Sequence, residues 1–143
     1  MLNENEVVRA MERFLDGDGY EVVKTCSTAE RGVDIVARHR ASGRELDIEA
    51  KGGTSARAGS ARFETGFSRN QVRAHVAKAF FAAAAGLQKR PHAEQAVAFP
   101  RLDHHVEFVG TLDLALARLG IVVFWVHHDG TVSRHVNSRS SPP

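Results

Sequence analysis

Two segments on either side of Ser42-Gly43 alternate so regularly that they dictate which side of a sheet each residue takes. Residues 33–39 and 44–51 both read as strands, and Ser42-Gly43 reads as the two-residue loop of a hairpin between them. That loop sets Ala41 against Arg44, Val36 against Glu49 and Asp34 against Lys51. Opposed residues share a face. One face then holds Ile35, Ala37, Leu46, Ile48 and Ala50, with His39 near the turn. The other holds Asp34, Val36, Arg38, Asp47, Glu49 and Lys51. A slip of one residue would mix the two sets, so the pairing is strongly specified.

A sheet with an apolar face needs a cover, and the flanking sequence supplies helices. Asn3 and Glu6 have capping-box spacing, and Val7, Met11, Phe14 and Leu15 form one stripe that ends at Asp16-Gly17-Asp18-Gly19. Residues 20–25 read as a strand, followed by a turn between Ser27 and Gly32. Residues 52–66, rich in Gly, Ser, Ala and Arg, read as a mobile loop long enough to suggest a function. Ser68 and Gln71 form a second capping pair, opening a helix buried through Val72, Val76, Ala79, Phe80, Ala83 and Leu87. Residues 95–99 read as a strand stopped by Pro100, while 104–109 fit a strand or a loop. Thr111 reads as the cap of a short helix carrying Leu112, Leu116 and Leu119 and ended by Gly120. Residues 121–126 have the unbroken apolar character of a buried strand, and Asp129-Gly130 turns them into a hairpin with 131–136. The order α-β-β-β-α-β-α-β-β implies an α/β fold, a mixed sheet with helices on its faces.

The chain of 143 residues, 43% of them hydrophobic, can build one core and not two. A single domain over 1–136 is expected, with 137–143 as a disordered tail. No stretch approaches the roughly 20 apolar residues of a membrane span, and the polar first residues do not resemble a signal peptide. The lone Cys26 excludes an internal disulfide and a thiolate zinc cage. A soluble cytoplasmic protein is the expectation. Net charge is only +2, but its distribution is uneven. Lys51, Arg57, Arg62, Arg69, Arg73 and Lys78 stand between residues 51 and 78 against one acid, Glu64.

The charged face of the hairpin carries the chemistry. Two carboxylates as near as Asp34 and Glu49 repel unless a cation sits between them. Hard divalent ions such as Mg²⁺ and Mn²⁺ favour such oxygen ligands. Lys51 points to the same side, where an amine can position water and stabilise charge on a phosphoryl group. A Glu-x-Lys tripeptide alone is common and usually only a solvated face. The full set is narrower: an Asp after Gly32-Val33, then Glu49-Ala50-Lys51 closing an apolar strand, then a basic Gly-rich loop.

Gly32-Val33-Asp34-Ile35-Val36 and Asp47-Ile48-Glu49-Ala50-Lys51 resemble the two halves of the PD-(D/E)XK nuclease signature, with Val33 where the family name has proline. The predicted helix, three-strand meander, helix and strand over residues 3–100 are similar to that family's core. The compact size resembles Holliday junction resolvases and Mrr-like restriction domains. The resemblance implies a restriction endonuclease-like three-layer α/β/α fold with about five central strands plus a C-terminal hairpin. It implies a metal-dependent endonuclease that hydrolyses DNA phosphodiesters, with RNA as a further possible substrate. Asp34, Glu49 and the Ala50 carbonyl would bind Mg²⁺ or Mn²⁺, and Lys51 would orient the attacking water. Glu6 matches a helical acid near the metal, although a capping glutamate explains it equally well. Gln71 and His75 look like a Gln-x-x-x-Tyr motif with histidine replacing tyrosine; Gln71 would hold water or a phosphate. Arg57, Arg62, Arg69, Arg73, His75 and Lys78 would contact nucleic acid. Cleavage of both strands by so small a domain implies a homodimer. The alternatives are a non-catalytic nucleic-acid-binding or assembly module on the same fold, an RNA-cleaving toxin, or an interaction domain whose acidic face is merely solvated.

Eight histidines invite zinc, but His104-His105 and His127-His128 are adjacent pairs whose side chains diverge on a strand. His127-His128-Asp129-Gly130 lacks the following chain an HNH motif requires.

Overall fold

The computed structural model describes residues 1–25, 33–55 and 66–137. In chain order its elements are α1 (Glu4–Gly17), β1 (Tyr20–Thr25), β2 (Ile35–His39), β3 (Glu45–Ala50), α2 (Arg69–Lys89), β4 (Glu94–Pro100), α3 (Asp103–Thr111), α4 (Asp113–Leu119), β5 (Val122–Val126) and β6 (Val132–Arg134). The six strands form one open mixed sheet in the order β1-β2-β3-β4-β5-β6. β1, β2 and β3 are an antiparallel meander, β3, β4 and β5 run parallel, and β6 returns antiparallel to β5. The α/β class and the helices on both faces follow the sequence reading.

Ile35, Ala37, Leu46, Ile48 and Ala50 all turn to α1, where they pack with Val7, Val8, Met11 and Leu15. On the other face Val97, Phe99, Val123 and Trp125 pack under Val72, Val76, Ala79 and Ala83 of α2 and under Phe108, Val109 and Leu116 of α3 and α4. The even-odd partition deduced for the hairpin therefore holds. Its register does not. Ile35 faces Ile48 and Arg38 faces Glu45, a displacement of two residues from the expected pairing. The loop is four residues long, closed by His39 N–H donating to the Arg44 carbonyl at 2.8 Å, with Gly43 at a φ of +74°. A shift of two keeps every side chain on its expected face.

Residues 104–109 belong to neither a strand nor a loop but to α3. His105, Phe108 and Val109 are its buried stripe at helical spacing. Thr111 ends α3, its hydroxyl donating to the Phe108 carbonyl, and does not cap α4, whose N-cap is Leu112. The expected turn between Ser27 and Gly32, Cys26, most of the 52–66 loop and the tail beyond Asn137 lie outside the described residues.

The start of α1 and the end of β3 meet. Gly53 N–H donates to the Leu2 carbonyl at 2.8 Å, and Asn3 bridges Thr54. A Cβ on Gly52 would lie 2.4 Å from the backbone nitrogen of Glu4 and 2.6 Å from the carbonyl carbon of Asn3. Only a residue without a side chain lets the helix start this close to the strand end.

Candidate active site

Asp34 sits one residue before β2, 8% exposed, at the carboxyl end of β3. Lys51 N–H donates across to the Ala98 carbonyl of β4 at 3.0 Å. Amides alternate in direction along a strand, so the Ala50 N–H turns to the β2 side, where the ladder has ended. Asp34 Oδ2 accepts that donor at 2.7 Å. The carboxylate thus replaces a missing strand partner and is fixed by the backbone. Extending the observed register by one residue places Asp34 opposite Glu49, not opposite Lys51.

Glu49 and Lys51 share a face, each side chain 20% exposed, with Lys51 Nζ 3.8 Å from Glu49 Oε1. Burial pushes the Glu49 carboxyl up to about 7; the negative charges of Asp34 and Glu4 add to this, and Lys51 opposes it. Asp34 is also raised, first by burial, against the Ala50 hydrogen bond and Lys51. Glu4 is raised by burial and by Asp34, with Lys51 pulling the other way. Three acids therefore feel one another around one amine.

Glu4 is the member that sequence reasoning missed. Glu6 is not at this cluster: its Oε1 accepts from the Asn3 N–H at 3.1 Å while Asn3 Oδ1 accepts from the Glu6 N–H at 2.9 Å. Residues two apart on a helix lie about 200° apart around its axis. Once Glu6 is committed to the cap, Glu4 is the acid that can turn elsewhere. The glycine pair directly after Lys51 was the available signal that a helix start approaches this strand end.

Gln71 likewise closes its cap, with Oε1 accepting from Ser68 N–H at 2.8 Å and Ser68 Oγ accepting from Gln71 N–H at 3.3 Å. Its amide oxygen is taken by that cap. His75, one turn on, is half-buried, stands edge-on to Phe67 with ring centroids 4.5 Å apart, and is held below its usual pKa by burial, then by Lys51 and Lys78. It is an α2 residue that feels Lys51, the residue directly after β3. Behind it lies His105, fully buried, which the sequence reading weighed only as half of a diverging His104-His105 pair because 104–109 did not read as a helix. Burial, then His75, drive its pKa down to about 4. The Gly52 backbone opposes that shift from hydrogen-bonding range, while among the described residues His75 Nδ1 has no hydrogen-bond partner.

The basic residues divide. Arg57 and Arg62 lie outside the described residues. Arg69 grips Glu107 with two nitrogens, Nε at 3.0 Å and Nη2 at 2.7 Å, and stacks over Phe108, so its guanidinium is already engaged. Arg73 and Lys78 are exposed on α2.

The donor set suits a hard cation. All its members are oxygens, and its acids outnumber its amine. Among the described residues no three His, Cys, Asp or Glu side chains come together closely enough to hold an ion by themselves. The protein would thus offer the Asp34 and Glu49 carboxylates with the Ala50 carbonyl. Mg²⁺ is commonly bound in this way, through one or two carboxylates with water and phosphate oxygens completing the shell. No helix among the described residues is long and apolar enough to cross a membrane.

Compared with known proteins, the chain matches no family model, no curated protein and no solved structure.

Proposed function

We propose that this protein is a metal-dependent endonuclease hydrolysing DNA phosphodiester bonds, built on a PD-(D/E)XK-like core. The observation that carries the reading is the half-buried carboxyl end of β3, where the Ala50 N–H fixes Asp34 at 2.7 Å, Lys51 Nζ stands 3.8 Å from Glu49 Oε1, and burial with the charges of Asp34 and Glu4 pushes Glu49 up to about 7. A domain that used these acids only for solubility would spread them into water. Here they are drawn into a half-buried end of the sheet where they repel. The meander β1-β2-β3 followed by α2 and a parallel β4 supports the same reading, being the element order that the sequence resemblance implies.

Mg²⁺ or Mn²⁺ held by Asp34, Glu49 and the Ala50 carbonyl would supply Lewis acidity to the phosphodiester and make the attacking water more acidic. The remaining steps belong to this chain's own residues. The Ala50 N–H fixes the rotamer of Asp34. Lys51 stands where it can orient water and offset charge growing on the phosphoryl oxygens. Glu4 adds negative charge that strengthens the hold on a cation. Cutting both strands requires two such sites, hence a pair of chains.

The test is incubation of plasmid and branched DNA with the protein in Mg²⁺, Mn²⁺ or EDTA, beside Asp34→Ala and Lys51→Ala. Cleavage that needs the metal and falls by about two to three orders of magnitude in both variants, with DNA binding retained, supports the enzyme. Binding of DNA with no metal-dependent cleavage by the native protein overturns it in favour of a non-catalytic module.

A further inference from the structure

The carboxyl ends of the parallel strands carry a second set of polar groups, which the reading above does not use. Pro100 of β4 pairs with Val126 of β5, and Ala98 with Ala50 of β3. Continuing these registers places Arg101 between Gly53 on one side and His127 on the other. The Arg101 N–H donates to the Val126 carbonyl at 2.9 Å, which anchors the turn of chain at this edge. Arg101, His127, His128, Asp129 and Thr131 line an open depression of about 560 Å³. It lies about 10 Å across the sheet from Lys51, two strand spacings away.

The groups in this depression are not equally free. Asp129 is turned in on Thr131, accepting from its N–H at 3.0 Å and its hydroxyl at 2.7 Å, and those bonds hold its carboxyl below the usual range. His127 Nε2 lies 2.8 Å from Ser133 Oγ. Arg101 and His128 are exposed, and among the described residues neither has an ion-pair or hydrogen-bond partner for its side chain. The only committed charge in the depression is thus the acid, while an arginine and an imidazole stand open to solvent. In parallel sheets, ligands bind outside the carboxyl ends of the strands.

We infer that Arg101 and His128 form a phosphate-contact site for the nucleic-acid backbone, separate from the acid cluster and on the same edge of the sheet. The ligand is the phosphodiester chain itself, read by charge and not by base identity. A strand lying across the ends of β3, β4 and β5 would meet Lys51 first and Arg101 with His128 a few nucleotides further on. This inference rests on the nuclease reading for the identity of the polyanion, but it needs no catalysis.

The experiment therefore reads binding and cleavage separately. Fluorescence anisotropy of a labelled 20-base-pair duplex and of the corresponding single strand is measured in EDTA over a salt series. The proteins are native, Arg101→Gln with His128→Gln, and Arg118→Gln. Arg118 is an exposed arginine near the opposite end of β5, in the last turn of α4. The double variant is expected to bind about five- to tenfold more weakly at low salt, with a salt dependence shallower by about one ion. Arg118→Gln should bind as the native protein does. Thermal melts of the variants should superimpose on the native curve, since both replaced side chains are exposed.

Unchanged affinity and salt slope in the double variant overturn the site. Equal losses in the double variant and in Arg118→Gln also overturn it, because net charge alone would then explain the binding. Absence of any binding by the native protein overturns it too. Weakened binding by the double variant, together with no cleavage by the native protein in Mg²⁺ or Mn²⁺, leaves this site standing and removes the hydrolytic reading instead.

Discussion

β3 carries acids on one face from end to end, and its two ends treat them in opposite ways. At the amino end Asp47, 1% exposed, receives Arg90 Nε at 2.8 Å and Gln95 Nε2 at 3.1 Å, while Arg90 also pairs with Glu45. At the carboxyl end Glu49 has Lys51 at 3.8 Å and stands against Asp34 and Glu4. The first group is satisfied within the protein. The second is short of positive charge. Buried charge is tolerated when it is paired and hydrogen-bonded, so the amino end is a structural brace. The carboxyl end keeps a repulsion that something outside the chain can relieve.

Breaking the brace should give the largest loss of stability. Arg90→Ala leaves Asp47 buried with Gln95 alone and is expected to cost about 3 kcal/mol, read as a lower denaturant midpoint with an unchanged slope. If the midpoint does not move, the amino end is not the settled partner of the comparison.

The opposite sign is expected at the other end. Glu49 in the folded protein keeps a proton between pH 4.5 and about 7 that the unfolded chain has released. Stability must therefore fall as pH rises through that window. In EDTA, Glu49→Gln should match native stability at pH 4.5 and exceed it by up to roughly 3 kcal/mol at pH 8. His105 works the other way. Its pKa lies below that of an unfolded histidine, so its contribution is complete above pH 6.5 and is lost as pH falls toward 4. In the native protein the two slopes oppose one another between pH 4.5 and 6.5. Glu49→Gln should uncover the His105 limb as a stability that rises with pH, visible in urea titrations at successive pH values.

Mg²⁺ should narrow the difference between the two ends. At a hundredfold excess over its dissociation constant it should stabilise the native protein by about 2.7 kcal/mol, seen as a higher melting temperature, and should leave Asp34→Asn unmoved. A rise of the same size in Asp34→Asn would place the ion elsewhere.

The smallest contrast separates two acids on one helix. Glu6→Ala should cost about 1 kcal/mol of stability through the lost cap and leave cleavage intact. Glu4→Gln should preserve the cap and change the Mg²⁺ concentration at which cleavage is half-maximal. Should the two variants exchange phenotypes, Glu4 does not belong with Asp34 and Glu49.

The alternation of Ile35, Ala37, Leu46 and Ile48 was legible because side-chain direction along a strand has a period of two, and a register error of two cannot disturb it. The partition of the charged face was equally legible. The loop length was not, since Arg40-Ala41-Ser42-Gly43 can close as two residues or as four, and tertiary packing chooses. α3 was missed although His105, Phe108 and Val109 sit at helical spacing, because two adjacent histidines masked the apolar stripe. Glu4 was hidden for a different reason. Its place depends on where a helix start docks against a distant strand, and no local pattern encodes that distance.

The glycine that admits this docking has a consequence for the cluster it contains no part of. Gly52 contributes no side-chain donor, acceptor or charge, yet the separation between Glu4 and the strand acids is set by the room its absent methyl leaves. Adding one carbon there would lever the helix start outward and thin the local negative field without altering a single acid. The tuning screw of this electrostatic arrangement is therefore a steric one.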